Sequence, residues 1–346
     1  MAELGFPVAG LDAAGAVLQA GVADRLWPGA VALAGSGDAV QRNWVFGDAE
    51  NWPGGRRPMA EDTVFDLASL TKMLVTTPAV LLLAQDGLIA LTDPAARYLP
   101  GMDPRIEICQ LLQHVAGFPP EQDLTAVRST AELVAGAAAE PLVAEPGRTV
   151  AYSDLGFIVL GGLIEKVSGQ PLAEFAVERL FEPLAIEARF RPPAAWLARI
   201  AATELVDGRP VHGTVHDENA AAAGGVAGHA GLFGTAGDVR AAIACWLPGG
   251  PLLTDPTRAQ ALADQTGDLA GHRGLGWTCR GDDYDILSGG WGPAAVSHTG
   301  FTGTSMALDP ATGRWAVLLT NAVHFGRGRP KVLAARRQFH AALVGD

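Results

Sequence analysis

Strand-like segments lie near both ends of this 346-residue chain, and the long stretch between them has a mostly helical pattern. Two short β-like runs, 30–34 and 40–46, are joined at Gly37-Asp38, a pair typical of tight hairpin turns. More β-like segments follow late in the chain, at 274–280, 295–299, 303–309 and 315–320. Strands at both ends of the chain, with helices between them, suggest one antiparallel sheet built from the two termini.

Helices are predicted at both ends of the chain and through its middle. Apolar residues recur at helical spacing from 11 to 26, and a closing helix is expected at 331–343. Further helices are predicted at 69–85, 108–114, 131–138, 154–167, 172–180, 236–247 and 258–265. The predicted fold class is therefore α+β: an antiparallel sheet flanked by terminal helices, with a helical subdomain inserted into it. Residues 1–68 and 256–346 would form the sheet region and 69–255 the helical region, with the active site at their interface.

The charge and composition exclude several classes of protein. With 37 acidic and 25 basic side chains the net charge is −12, whereas a nucleic-acid-binding surface needs clustered basic groups. Hydrophobic residues make up 49% of the chain, which indicates a large core, and no apolar run reaches the roughly 20 residues that span a bilayer. The first ten residues lack the basic and apolar regions of a signal peptide, so a cytoplasmic location is expected. Neither a disulfide framework nor a metal knuckle is expected from three scattered cysteines, Cys109, Cys245 and Cys279.

The most informative motif is Ser69-Leu70-Thr71-Lys72, at the start of a predicted helix. Residues i and i+3 share one helix face, so the Lys72 amine is able to contact the Ser69 hydroxyl and take its proton. The free N–H groups of a helix N-terminus also favour negative charge at that position. With eight serines and three lysines in the chain, chance predicts roughly 0.07 such pairs. The pair is therefore a candidate nucleophile and base.

Two weaker motifs lie further along the chain. Tyr152-Ser153-Asp154 precedes a predicted helix, and a phenol beside a lysine is able to shuttle protons. A tyrosine at the edge of the core and a helix-capping aspartate would give the same pattern. A predicted strand ends within His298-Thr299-Gly300-Phe301. At the glycine of this motif the backbone is able to approach a ligand closely, and the strand is able to pair with the ligand as an edge strand does.

In this order, the three motifs resemble those of the serine β-lactamase and penicillin-binding-protein superfamily, in particular its class C β-lactamase-like branch. The signatures of that family are S-x-x-K, Y-x-N and a K-T-G or H-T-G triplet, matched by Ser69/Lys72, Tyr152-Ser153-Asp154 and His298-Thr299-Gly300. Lesser similarities at 87–100, 111–119, 216–239 and 318–324 extend the resemblance from about residue 29 to the C-terminus. The branch includes D-alanyl-D-alanine carboxypeptidases, D-aminopeptidases and family VIII-type carboxylesterases. The resemblance implies a β-lactamase/DD-peptidase-like fold and serine hydrolase activity.

The resemblance also implies a role for each matching residue. Ser69 would attack an ester, amide or β-lactam carbonyl to form an acyl-enzyme, which water then releases. Lys72 and Tyr152 would share the proton transfers, and the sequence leaves open which of them is the base. The backbone N–H groups of Ser69 and Phe301 would form the oxyanion hole, and the substrate-binding positions would be Asp154, His298, Thr299 and Gly300. No cofactor or metal is expected, and the expected partner is a small or peptide-like acyl substrate.

Two departures from the family pattern bear on the substrate. Asp154 stands where the family usually has asparagine, and its carboxylate would stabilise the Lys72 ammonium and repel an anionic substrate. His298 replaces the lysine common in β-lactamases, and an unperturbed histidine is mostly neutral at pH 7. Because no lysine lies near His298 in the sequence, we expect neutral esters or amides to be preferred over substrates that carry a carboxylate.

Three alternatives stay open at the level of sequence. The same acyl-enzyme would serve an acyltransferase, or a penicillin-recognising sensor that is acylated once without turnover. A metal-dependent hydrolase is the third, because His212, His216 and Asp217 lie close together in sequence, although their Gly/Ala-rich surroundings do not predict a helix that aligns them. We interpret this segment instead as a hydrogen-bonded loop near the pocket, formed by His216, Asp217, Asn219 and His229. His114 is interpreted as a structural residue at a helix end.

Overall fold

Strands from the two ends of the chain meet in one seven-stranded antiparallel sheet, as the sequence predicts. The computed structural model describes residues 5–346; residues 1–4, which carry part of the signal-peptide argument, lie outside the described residues. The strands, in chain order, are β1 Gly29–Ser36, β2 Ala39–Trp52, β3 Gly55–Pro58, β4 Phe65–Asp66, β5 Arg189–Phe190, β6 Leu205–Val206, β7 Arg209–Pro210, β8 Leu232–Gly234, β9 Thr278–Cys279, β10 Val296–Thr299, β11 Ser305–Leu308 and β12 Arg314–Thr320. The order across the large sheet is β3-β2-β1-β12-β11-β10-β9, so the first strand pairs with the last.

The terminal helices pack together on one face of this sheet. The helices, in chain order, are α1 Val8–Ala23, α2 Thr77–Gln85, α3 Ile108–Leu112, α4 Thr130–Ala138, α5 Asp154–Ser168, α6 Leu172–Ala176, α7 Glu218–Ala222, α8 Ala236–Ile243, α9 Asp255–Leu262 and α10 Arg329–Val344. Gly10 of α1 faces the end of α10, and a Cβ at that position would lie 2.6 Å from the main-chain oxygen of Leu343. The glycine therefore permits the close approach of the two terminal helices.

Side chains on opposite faces of the sheet enter two separate cores. On β1, Val31 and Leu33 belong to the core shared with the helical region, whereas Ala30, Ala32 and Ala34 belong to the core under the terminal helices. Successive residues of a strand point to opposite faces, so both faces of β1 are buried. The small alanine side chains on one face leave room for α1 and α10.

The segment that carries Ser69 and Lys72 is helical but not the regular α-helix that the sequence predicts. It begins as a 3₁₀ turn at Ala68–Leu70, widens to a π-helical turn at Lys72–Thr76 and becomes α-helical only in α2. Single π-helical turns often occur at functional sites. Ala68–Gln85 is long and apolar enough to cross a membrane by length and composition, but 83% of it is buried inside the protein, as in a core helix.

Several predicted elements are shorter or differently paired than expected. The β-like segment 274–280 forms a strand only at Thr278–Cys279, and the predicted helix 236–247 ends as α8 at Ile243, followed by a 3₁₀ turn. β10 is not an edge strand along its whole length, because β9 pairs with its Val296 and Ser297. The region between the two halves of the large sheet also contains a small sheet of order β4-β8-β5. The predicted domain boundaries stay a prediction.

Candidate active site

A cavity of about 690 Å³ lies between the sheet and the helical region. All three sequence motifs contribute to its wall, through Ser69, Tyr152, Asp154, His298, Thr299, Gly300 and Phe301. Lys72 lies beneath this wall and is fully buried. The structure therefore brings together residues that are up to 232 positions apart in the sequence.

Ser69 is presented by a strained turn at the start of its helix. The preceding residue, Ala68, has φ +49°, a left-handed conformation that costs a non-glycine residue of order 1 kcal/mol. The Ala68 N–H donates to Asp66 Oδ1 (2.9 Å), and Asp66 Oδ2 accepts the His216 N–H (2.7 Å). Burial raises the pKa of Asp66 to about 6, although both hydrogen bonds lower it. A buried carboxyl group thus holds the serine turn and the 216–229 loop together.

The Lys72 ammonium lies close to three oxygen atoms. Its Nζ donates to Ser69 Oγ (2.9 Å) and to the main-chain oxygen of His229 (3.1 Å), and it forms an ion pair with Asp154 Oδ1 (2.7 Å). Burial lowers the pKa of Lys72, but the charge of Asp154 and the contacts with Asp154 and Tyr152 outweigh burial, so the pKa is raised. Lys72 is therefore a cation in the resting site, as expected from the aspartate at position 154.

Tyr152 and Asp154 are placed by the start of α5. Ser153 Oγ accepts the Leu155 N–H (3.3 Å), which caps the helix, and donates to the main-chain oxygen of Pro119 (2.7 Å). Burial raises the pKa of Tyr152, although Lys72 and a hydrogen bond with Ser69 lower it. Lys72 Nζ lies 5.1 Å from the centre of the Tyr152 ring. The phenol is therefore protonated at neutral pH and lies within reach of both Ser69 and Lys72.

His114 packs against the segment that carries Tyr152, and the sequence did not predict these contacts. Its Nδ1 accepts the Ser153 N–H (3.2 Å), its main-chain oxygen accepts the Ala151 N–H (2.9 Å), and its ring centre lies 4.5 Å from that of Tyr152. Burial, together with nearby cations, lowers the pKa of His114 well below its usual value. The interpretation of His114 as a structural residue is consistent with these contacts.

The turn after β10 is bonded to the backbone just before Ser69. Thr302 Oγ1 donates to the main-chain oxygen of Asp66 (2.8 Å), and Thr304 Oγ1 donates to that of Leu67 (3.1 Å). A Cβ at Gly300 would lie 2.7 Å from the Leu67 oxygen, so only glycine allows this approach. The strand that carries the histidine motif is thereby fixed beside the serine turn. β9 pairs only with the first part of β10, which leaves the stretch from His298 onwards along the cavity.

His298 is a neutral group in this site. Its Nδ1 lies 2.9 Å from the main-chain oxygen of Thr299, and since a carbonyl only accepts, Nδ1 carries the proton. Burial, with Lys72 and Arg273 nearby, lowers the pKa of His298 well below its usual value. Its Nε2 is an acceptor without a hydrogen-bond partner among the described residues.

The cavity wall also contains cations, and these are arginines instead of lysines. Arg273, Arg327 and Arg336 line the cavity, and Arg336 Nη2 donates to the main-chain oxygen of Gly300. Arg273 is paired with Asp282, and Arg327 with Glu204 and Glu218. The sequence argument from the absence of a lysine near His298 is therefore incomplete, because it did not consider arginine.

The residues of the metal hypothesis do not converge. His212 Nε2 pairs with Glu50 (2.9 Å), His216 Nε2 lies 3.4 Å from Glu204, and Asp217 Oδ1 pairs with His229 (2.8 Å). The structure instead supports the hydrogen-bonded loop: Asp217 caps α7, and Asn219 bonds to the 122–124 backbone. Potential ligand atoms of Asp154, Asp217 and His229 do lie within 4.8 Å of one another. In this group, however, Lys72 already pairs with Asp154 and His229 with Asp217.

Sequence reasoning missed three parts of the site. These are the Asp66 carboxyl group under the serine turn, the Arg273–Asp282 ion pair, and Tyr284, which stacks on Tyr152. The rarity of tyrosine, three in the chain, was a usable signal for Tyr284. No local pattern marks Asp66 or Arg273.

A serine within hydrogen-bond distance of a buried lysine, with a tyrosine beside both, at the boundary of an antiparallel sheet and a helical region, is the arrangement expected of a serine hydrolase. A family model described as Beta-lactamase matches residues 15–341, and the chain belongs to that family. The expected fold class and enzyme class are thereby confirmed. The comparison also agrees with the resemblance drawn from the three motifs.

Individual relatives are similar over most of the chain. A protein of Salmonella paratyphi A assigned as a D-alanyl-D-alanine carboxypeptidase is 30% identical over 321 residues, covering 78% of this chain and 72% of its own. The structure of EstCE1, a hydrolase with promiscuous acyltransferase activity, matches with a TM-score of 0.77 at 20% identity, covering 96% of this chain and 99% of EstCE1. SurE matches with a TM-score of 0.75 at 26% identity, covering 94% of this chain and 74% of SurE.

Proposed function

We propose that Ser69 is the nucleophile of a hydrolase that acts on uncharged ester or amide substrates. The observation that carries the proposal is the 2.9 Å contact between Lys72 Nζ and Ser69 Oγ at the wall of the cavity. The N–H groups of Ser69 and Phe301 would bind the oxyanion. Support for this pair comes from the turn after β10, whose contacts with the backbone of Asp66 and Leu67 hold the strand beside Ser69.

Tyr152 is the proposed general base, in the phenolate form that is its minor form at neutral pH and that the adjacent Lys72 ammonium favours. Lys72 is the less suitable base, because giving up a proton would break its ion pair with Asp154. The Ser69 proton passes to the Tyr152 oxygen as the Oγ–carbonyl carbon bond forms. The same proton then passes to the leaving alcohol or amine as its bond to carbon breaks. Water attacks the resulting ester of Ser69 and releases the acid.

The preference for uncharged substrates is supported by two groups in the cavity wall. Asp154 places a carboxylate there, and His298 stays neutral instead of supplying the ammonium of a lysine. Two of the three cavity arginines do not reverse this preference, since Arg273 and Arg327 are already paired with carboxylates. The third, Arg336, bears on the second candidate.

A carboxypeptidase acting on D-alanyl peptides is the second candidate. It is favoured by the curated relatives and by Arg336, which donates to the main-chain oxygen of Gly300 beside the proposed oxyanion hole. A guanidinium at this position is well suited to bind a substrate carboxylate. The two candidates differ in the charge of the best substrate, so a substrate panel separates them.

The test combines covalent labelling with turnover. The wild type and Ser69→Ala are incubated with a fluorophosphonate and with a labelled penicillin, and adducts are read by intact mass. We expect a fluorophosphonate adduct on the wild type and none on Ser69→Ala; labelling that persists in the variant refutes the nucleophile. Turnover of p-nitrophenyl butyrate, a D-alanyl-D-alanine peptide and a chromogenic cephalosporin is then compared. If the ester is hydrolysed fastest, the first candidate is supported, and if the peptide is hydrolysed fastest, the second candidate is supported. A stable penicillin adduct without turnover would support a sensor.

A further inference from the structure

A half-exposed tyrosine, Tyr284, lies against Tyr152 in the wall of the cavity. Tyr284 is 48% exposed, and it is the single aromatic residue among the exposed large hydrophobic side chains of the described residues. Its ring centre lies 5.4 Å from that of Tyr152, with the two ring planes inclined by 31°. Tyr284 also lines the cavity that contains Ser69. An exposed aromatic surface beside a reactive serine is suited to contact a substrate.

A buried ion pair holds Tyr284 in place. Arg273 Nη2 lies 2.7 Å from Asp282 Oδ1, with the two side chains only 1% and 3% exposed. The same Asp282 oxygen accepts the Tyr284 N–H (2.8 Å), and Arg273 Nη1 donates to Thr278 Oγ1 (2.9 Å). The backbone of Tyr284 is thus connected to Thr278 of β9 through Asp282 and Arg273. A side chain on an anchored backbone loses less conformational entropy when a ligand binds to it.

The Arg273 guanidinium also contacts the two tyrosine rings. Its Cζ lies 5.2 Å from the centre of the Tyr284 ring and 5.7 Å from that of Tyr152. A cation within about 6 Å of an aromatic ring is attracted to the ring face. The arginine, the two tyrosines and Asp282 therefore form one rigid unit, in which Tyr284 is the part most exposed to solvent.

We propose that Tyr284 forms a leaving-group subsite that selects aromatic alcohols and amines. The inference rests on the proposed function, in which Tyr152 gives its proton to the leaving group. Because the Tyr284 ring lies against that of Tyr152 and both line the cavity, a leaving group that receives this proton departs beside the Tyr284 ring. An aromatic leaving group stacks on that ring, whereas a saturated ring of the same size gains only the burial of its apolar surface.

The experiment compares two acetate esters that differ in aromaticity. The values of kcat/KM for benzyl acetate and cyclohexylmethyl acetate are measured by acid release for the wild type, Tyr284→Phe, Tyr284→Leu and Ser69→Ala. Since the inherent reactivities of the two esters are the same for every variant, the change in their ratio reports the subsite alone. We expect Tyr284→Leu to reduce the benzyl preference by about two- to tenfold, the range of one aromatic pair. Tyr284→Phe keeps the aromatic face and should keep the preference.

The outcomes separate this inference from the proposed function. The ratio of kcat/KM for benzyl acetate to kcat/KM for cyclohexylmethyl acetate is compared between the wild type and Tyr284→Leu. If the two ratios are equal while hydrolysis still needs Ser69, the subsite is overturned and the proposed hydrolase function stands. Hydrolysis that persists in Ser69→Ala would overturn the proposed function, and the inference with it. A loss of activity towards both esters alike in Tyr284→Leu, at an unchanged ratio, would mark Tyr284 as a structural residue only and would also overturn the subsite.

Discussion

The Asp154 carboxylate sets the charge of Lys72, so its replacement by asparagine should change the pH dependence of the reaction. Asp154 Oδ1 lies 2.7 Å from Lys72 Nζ, and its charge raises the pKa of both Lys72 and Tyr152. The reaction needs a deprotonated base, whether Tyr152 or Lys72. Removing the negative charge makes either group easier to deprotonate. The rising limb of kcat/KM against pH should therefore move to lower pH in Asp154→Asn.

The size of the displacement follows from the geometry of the ion pair. Two unit charges 2.7 Å apart interact by about 6 kcal/mol at an effective dielectric constant of 20, and by about 1.5 kcal/mol in water. The Asp154 side chain is 37% exposed, so solvent screening favours a value near the lower figure. An interaction of about 2 kcal/mol corresponds to a displacement of about 1.5 pH units for a limb that reports Lys72. A limb that reports Tyr152 moves in the same direction, because the charge of Asp154 also raises the pKa of Tyr152.

The assay is kcat/KM for p-nitrophenyl butyrate from pH 5 to pH 10, corrected for spontaneous hydrolysis. Asp123→Asn is the matched control, because Asp123 also lines the cavity but its carboxylate bonds to Thr125. Its profile should coincide with that of the wild type. Thermal melting shows whether each variant is folded at the pH of the assay. A limb in Asp154→Asn that coincides with the wild-type limb would refute the argument that Asp154 controls the charge of the site.

Three further predictions concern the strand, the buried ion pair and the absence of metal chemistry. In Gly300→Ala the new Cβ would lie 2.1 Å from Thr304 Oγ1, so β10 must move away from the serine turn. We therefore expect kcat/KM to fall at least about tenfold, and wild-type kinetics would contradict this prediction. In Asp282→Ala, Arg273 stays buried without its partner, so the free energy of unfolding in urea should fall by about 3–5 kcal/mol, and a loss below about 1 kcal/mol would argue against a buried pair. Prolonged treatment with EDTA should leave ester hydrolysis unchanged, and activity lost to EDTA and restored by zinc would support the metal-dependent alternative.

Local patterns in the sequence predicted much of the fold and the positions of the candidate motifs. Hairpin signals and helical spacing identified the strands of both chain ends and the terminal helices, because these patterns report which face of each element is buried. The serine helix was the main error in secondary structure. Its π-helical turn at Lys72–Thr76 begins at a lysine that bonds to the distant His229 carbonyl, and no spacing of apolar residues signals such a turn.

The candidate site shows the same division between local and distant information. Ser69, Lys72, Tyr152 and His298 lie in short motifs whose residue types are themselves chemically informative, so the sequence identified them. Arg273 and Tyr284 belong to no motif, and their importance comes from contacts with Tyr152, more than 100 positions away. A count of lysines suggested a site poor in cations, yet the folded chain places buried arginines along the cavity.

The sequence by itself determined the class of fold, the family and the residue types available for chemistry. The sequence also suggested a Lys72 ammonium and a neutral His298, and only the tertiary structure supplied the contacts and the burial that hold these states. Lys72 is an ammonium because Asp154 lies 2.7 Å away, and His298 is neutral because it is buried between cations with its Nδ1 on a carbonyl. Electrostatic energies depend on distance and on exclusion of water, and both arise only when distant segments pack together.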